Sequence, residues 1–172
     1  MSDLAEPADG KTYELLLTID MGVDVFASNW AYCDRLSSYM ARMVSHNRTD
    51  SLLYSNLFSS ALNELLETVF RSHRPGGKFT CSVSRRQKRD RIELTIPCDA
   101  EGSRFYQAAI DRLSRPDAAD HYRSALFADG PIDPNIGLFE LAVDYDAVLS
   151  IEAGGNDSIR LIADLALEDS VV

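Results

Sequence analysis

Apolar residues alternate with polar ones through Tyr13, Leu15, Leu17 and Ile19, so residues 12–19 predict a strand. A connection, Met21 to Ser28, follows. Trp30, Cys33, Leu36, Met40, Met43 and Val44 then recur every three or four positions, the period of an amphipathic helix over 29–46. "SHNRTD" (45–50) breaks that helix, and Asp50 is placed to cap the next. Residues 51–72 form the longest periodic run. Leu53, Leu57, Ala61, Leu65 and Val69 share a face, which Phe58, Leu62, Leu66 and Phe70 widen. Leu62, Leu65 and Val69 are therefore expected in the core. Arg71, His73 and Arg74 complement the helix's negative end, and Pro75-Gly76-Gly77 stops it.

The period then changes to two. Phe79, Cys81 and Val83 alternate with polar residues, as do Ile92, Leu94 and Ile96, and the polar loop "SRRQKRDR" joins the two strands as a hairpin. Helical spacing returns over about 103–114, where Phe105, Ala109 and Leu113 share a face, and over 117–127. "ADGPIDPN" (128–135) is a loop with two prolines. Residues 136–146 predict a last helix, through Leu138, Leu141, Ala142 and Tyr145. Val148 to Glu152 and Ser158 to Glu168 predict strands around the turn "AGGNDS". The order is β-α-α-β-β-α-α-α-β-β. It predicts an α+β, two-layer sandwich: a mixed, mostly antiparallel sheet of about five strands, with both long helices covering one face. No repeat or low-complexity linker divides it, so 12–168 is expected as one domain, with flexible ends at 1–11 and 169–172.

Composition narrows the function. No apolar run approaches the ~20 residues of a membrane span, and the acidic opening MSDLAEPADG is wrong for a signal peptide. Cys33, Cys81 and Cys98 are odd in number and lack metal-ligand spacing, which fits reduced thiols in a cytoplasmic protein. His46, His73 and His121 form no cluster, and no metal site is expected. The net charge of −10 disfavours nucleic acid. Charge is unevenly spread: Arg71 to Arg91 carries eight Lys or Arg and one acid, Asp90, leaving −17 on the rest. The cluster Arg85, Arg86, Lys88, Arg89 and Arg91 reads either as a solvated hairpin or as a contact for an acidic protein.

Candidate chemistry lies in three degraded motifs. "NELLETVF" places Glu64 and, four residues on, Thr68 on the long helix; "CDAEGSRF" follows the second hairpin strand with Asp99 and Gly102; "NIGLFELA" opens the last helix with Gly137. With the element order, these resemble the ATP-binding domain of gyrase, heat-shock chaperones, histidine kinases and mismatch-repair ATPases, the GHKL (Bergerat-like) superfamily. In size the chain is most similar to the anti-sigma serine kinases of bacterial partner switching. The resemblance implies that Glu64 orients the attacking group, that position 68 holds Mg²⁺ through an Asn here replaced by Thr, and that Asp99 receives the adenine amino group. It also implies that Gly102 and Gly137 mark glycine turns near base and phosphate. Mg²⁺ needs near-ideal octahedral ligands, so Thr68 weakens a metal site. Glu101 stands where the resemblance expects glycine, and Asn135 where it expects another. Asp99 reads equally as the cap of the 103–114 helix.

The expected function is therefore a partner-binding regulatory domain with no working cofactor. Mg-ATP-dependent serine/threonine kinase activity, with Glu64 as general base, is the alternative. "VSHNRTD" (44–50) also resembles the phosphoacceptor box of histidine kinases, which makes His46 the candidate of a second alternative, an ATP-independent histidine phosphotransferase. The partner implied is an acidic regulatory protein of STAS-domain or response-regulator type. A homodimer is allowed, and membrane association is not expected.

Overall fold

The computed structural model describes residues 12–170, with the side chains of 169 and 170 excepted. Of the ends expected to be flexible, 1–11 and 169–172, residues 1–11 and 171–172 lie outside the described residues, and 169 and 170 complete a short 3-10 helix, Leu167–Ser170. The elements are β1 (Glu14–Gly22), α1 (Val23–Ala27), α2 (Ala31–Val44), α3 (Ser51–Ser72), β2 (Lys78–Arg86) and β3 (Arg89–Pro97). There follow α4 (Ala100–Leu113), α5 (Ala118–Leu126), α6 (Ile136–Asp144), β4 (Val148–Ala153) and β5 (Ser158–Leu165). The five strands form one sheet in the order β1-β2-β3-β5-β4. The class is α+β, as the periodicity predicts. Every strand pairing is antiparallel, so the expectation of a mixed sheet is narrowed to an antiparallel one.

The sheet separates its two faces by alternation. Phe79, Cys81 and Val83 of β2, Ile92, Leu94 and Ile96 of β3, and Ile159, Leu161, Ala163 and Leu165 of β5 are buried in the core under α2 and α3. The intervening residues make polar cross-strand contacts. Thr18 Oγ1 meets Ser82 Oγ at 3.2 Å, and Thr80 Oγ1 donates to Asp20 at 2.7 Å. Arg91 reaches Asp164 through two nitrogens at 2.7 and 2.9 Å, and Arg160 pairs with Glu152. α3 is the spine of the core: Phe58, Ala61, Leu62, Leu65, Leu66 and Val69 are at most 1% exposed. Its start is fixed by Asp50, whose Oδ1 accepts Leu53 N–H at 3.0 Å.

Outside the hairpin, the largest differences from the sequence expectation lie at three boundaries. β1 runs on to Gly22, and the expected connection holds the one-turn helix α1, which buries Val23 and Phe26. Five residues are too few for a period to be visible. α4 starts at Ala100, not 103, because Asp99 caps it through Gly102 N–H at 2.8 Å. β5 ends at Leu165, since Leu167, 1% exposed, turns back into the core.

Candidate functional site

α3 and α6 bring part of the expected site together. Glu64 and Thr68 lie one turn apart on α3, and Thr68, fully buried, donates its hydroxyl to the Glu64 carbonyl at 2.9 Å. A threonine bound in this way to its own helix does not project an oxygen outward. Gly137, in the first turn of α6, sits directly against this pair. A Cβ there would lie 2.8 Å from Glu64 Oε2, 3.1 Å from the Glu64 carbonyl and 3.3 Å from Thr68 Oγ1. The close approach of the two helices thus favours glycine at 137, since any side chain there would move the Glu64 carboxylate aside and crowd the two fixed oxygens. One turn further along α3, Ser72 meets the hydroxyl of Tyr106 from α4 at 2.5 Å, and Tyr106 is 2% exposed.

Glu64 is half-buried and opens on a hollow of about 270 Å³ lined also by Asp34, Ser59, Ser60, Asn63, Glu140 and Tyr145. Burial, then the nearby Glu140 and Glu67, push its carboxyl up to about 7, against the pull of Arg71. Glu140 is itself raised by burial and by Asp144 and Glu67. The acids around Glu64 (Asp34, Glu67 and Glu140) were not legible as a group, because they come from three helices. Among the described residues, no group of three or more His, Cys, Asp or Glu is arranged to hold a metal ion.

The raised carboxyl has a signed consequence. A folded-state pKa near 7 against 4.5 means that the native state holds this proton more tightly than the unfolded chain. Glu64 therefore costs no stability below about pH 4.5; its cost grows between about pH 4.5 and 7 and then levels off. Glu64→Gln is expected to be more stable than the wild type at pH 8 and equal to it at pH 4. Urea melts of both proteins across that range check this; a difference that does not grow with pH would show that Glu64 ionises freely.

Asp99 and Gly102 are placed elsewhere. The hollow on which Asp99 opens, about 450 Å³, is lined by Cys98, Ser103, Gln107, Glu152, Asp157 and neighbours, none of them shared with the Glu64 hollow. The Gly102 amide, then the charge of Arg74, hold the exposed Asp99 carboxyl below the usual range. Gly102 has its own packing reason: a Cβ would lie 2.9 Å from Cys98 Cβ. Glu101 turns outward and pairs with Arg74 at 2.7 Å. His73 ends α3, with Nδ1 2.6 Å from the Phe70 carbonyl. His46 is exposed in the turn after α2, at the break the sequence predicts.

The basic hairpin is shorter and less uniform than expected. Its loop is only Gln87-Lys88, because β2 runs to Arg86 and β3 starts at Arg89; Gln87 takes φ +57°. Arg85 turns inward and donates to Asp90 (2.7 and 3.2 Å), to the Val44 carbonyl (2.9 Å) and to Tyr54 Oη (3.2 Å). Arg91 belongs to the sheet's polar face, paired with Asp164 and 4.2 Å from the centre of the Tyr13 ring. The same ring lies 4.8 Å from the Arg86 guanidinium. Lys88 and Arg89 are exposed at the tip.

Behind the tip is a cluster that the motif search missed. Asp90, 1% exposed, is shared by Arg85 and Arg48, the latter at 3.3 Å. Arg48 also binds Glu168 at 2.9 Å, and both guanidiniums lie over the Tyr54 ring, at 5.0 and 5.7 Å. One signal was available: Asp90 is the single acid in a run of eight basic residues.

No helix among the described residues is long and apolar enough to cross a membrane. No known family model matches the chain, and no curated protein matches it.

Proposed function

We propose that the chain is a regulatory protein-interaction domain on a GHKL-type framework, with a degenerate nucleotide site occupied by its own packing. The observation that carries this is the close seating of Gly137 on Glu64 and Thr68, where an added carbon would displace the Glu64 carboxylate and crowd the Glu64 carbonyl and Thr68 Oγ1 at 3.1 and 3.3 Å. On the resemblance, metal and phosphate belong there. The inward bond of Thr68 and the separate placement of Asp99 support the same reading. The partner contact is assigned to the hairpin tip, where Lys88 and Arg89 are exposed while Arg85 turns inward to Asp90. A local basic tip on a chain of −10 suits an acidic protein better than a nucleic acid.

Calorimetry with ATP, with and without Mg²⁺, tests the first half. No heat of binding at millimolar ATP is expected. Micromolar affinity abolished by Glu64→Ala would overturn the degenerate site and bring forward a serine/threonine kinase with Glu64 as base. Charge reversal at Lys88 and Arg89 tests the second half, and slower association with an acidic partner at low salt is the expected result. Unchanged association would return the tip to a solvated turn.

A further inference from the structure

β4 ends the sheet on the side away from β1. The direction of its backbone follows from one bond. Gly154 N–H donates to the Ser158 carbonyl at 2.9 Å, so Gly154 faces β5. The β4–β5 register then runs without a shift from Ala153↔Ile159 to Val148↔Asp164. Backbone direction alternates along an antiparallel strand. Glu152, Ser150 and Val148 therefore turn their amides and carbonyls to β5, and Ala153, Ile151 and Leu149 turn theirs outward. Ala147 obeys the same alternation: its N–H donates to the Leu141 carbonyl at 3.0 Å, so α6 closes the edge there. From Leu149 to Ala153, no strand or loop among the described residues takes up the outward groups. Open edges are usually blunted by Lys, Pro or a bulge; VLSIEA has none of these. In front of the edge lies the hollow of about 450 Å³ between β4 and α4. Ile151 and Ile159 give it an apolar floor, and Ser103 and Gln107 of α4 a polar wall. Its charged lining is wholly acidic: Asp99, Glu152 and Asp157. Arg74 answers Asp99 and Arg160 answers Glu152, whereas Asp157 has no ion pair among the described residues.

We infer that the groove between β4 and α4 binds a basic, extended segment of a partner protein, which adds antiparallel to β4 and extends the sheet. Strand addition supplies the missing half of the ladder, with the outward groups of Leu149, Ile151 and Ala153 holding about five residues of the added strand. In an antiparallel pair, the residue that exchanges hydrogen bonds with Ile151 also shares its face. Every second residue of the segment therefore bonds to β4 and lays its side chain toward the hollow's apolar floor. The residues between share the polar face with Ser150 and Glu152. The segment that fits alternates apolar residues with Lys or Arg. The acidic lining attracts such a segment and repels an acidic one. It also argues against a second copy, since pairing β4 with β4 would bring Asp99, Glu152 and Asp157 of two chains together, each chain already at −10. This partner is opposite in charge to the one assigned to the hairpin tip, and its site shares no lining residue with the Glu64 hollow.

Fluorescence anisotropy of the full chain with a labelled hexapeptide of alternating Lys and Val tests this. Saturable binding is expected, and none of the matching Glu-Val peptide. N-methylation of the valines removes the ladder hydrogen bonds and leaves the charge, so it should weaken binding roughly tenfold or more. Ala153→Pro removes one outward N–H at an exposed position of an edge strand, where proline is tolerated; a loss of roughly fivefold is expected, with unchanged circular dichroism. Asp157→Asn keeps a residue that accepts the φ of +51° found there. It should weaken binding about twofold to fivefold, an effect that fades with salt. No binding at millimolar peptide overturns the inference, as does equal binding of the N-methylated peptide, which would show charge adsorption alone. That arm leaves the protein untouched and decides even if Ala153→Pro folds poorly. Equal binding of the Glu-Val peptide, or a dimer of the chain alone that Ala153→Pro dissolves in sedimentation equilibrium, gives the edge another occupant and also overturns it.

Discussion

Asp90→Ala is expected to destabilise the fold by about 3–5 kcal/mol, the range for removing one member of a buried ion cluster. The reason is what remains. Arg85 and Arg48 would stand together over Tyr54, with no carboxylate between them and water largely excluded. Burial already works against both charges of the Asp90–Arg85 pair. It raises Asp90 to about 7, against the pull of Arg48, and it lowers Arg85 to about 10, aided by the charge of Arg48. The cluster is therefore costly to bury, yet costlier to break. It also ties three distant places together: the turn after α2 through Arg48, the hairpin through Arg85 and Asp90, and the end of the described chain through Glu168. Urea denaturation followed by circular dichroism measures the loss. A loss below about 1 kcal/mol, the scale of a solvated surface pair, would mean that water reaches the cluster and that it holds nothing.

Leu65→Ala is expected to cost about 2–5 kcal/mol, as lost burial plus an unfilled cavity. Leu65 is 1% exposed near the middle of α3, between Ala61 and Val69, which are fully buried. Its neighbours belong to a sheet and a helix pair that cannot both move inward to refill the space. The expected signature is a lower urea midpoint with an unchanged m-value. An unchanged thermal midpoint would place α3 outside the core.

What the sequence made legible follows from how local each signal is. α3 was readable end to end, because its cap, its apolar face and its Pro-Gly-Gly stop lie within one stretch. The strands were readable by alternation, and their ends were less so: the hairpin's basic residues look like loop, yet Arg85 and Arg91 are strand residues whose charges are satisfied by Asp90 and Asp164. Arg91 pairs with a residue 73 positions away, and no local pattern reports that. The candidate site divides the same way. Glu64 and Thr68 share a helix, so their adjacency was certain, whereas the seating of Gly137 on them depends on how α6 lands on α3. Sequence pattern located Asp99 in its turn and allowed the capping role it has, but not the separation of its hollow from that of Glu64.

The strand order also divides the chain by how far each pairing must reach. β2 with β3, and β4 with β5, are neighbours in sequence; β3 meets β5 only after α4, α5, α6 and β4 have been threaded between them. The sheet is thus two halves, each closed locally or across the helices α1 to α3, and joined along one seam from Asp90↔Leu165 to Pro97↔Ser158. Because closure entropy grows only with the logarithm of loop length, the segment between those strands can be lengthened cheaply while the seam stays where it is. The exposed turn from Asp129 to Ile132, between α5 and α6, is therefore the place where such a domain can accept an insertion, and with it a new specificity, without renegotiating its fold.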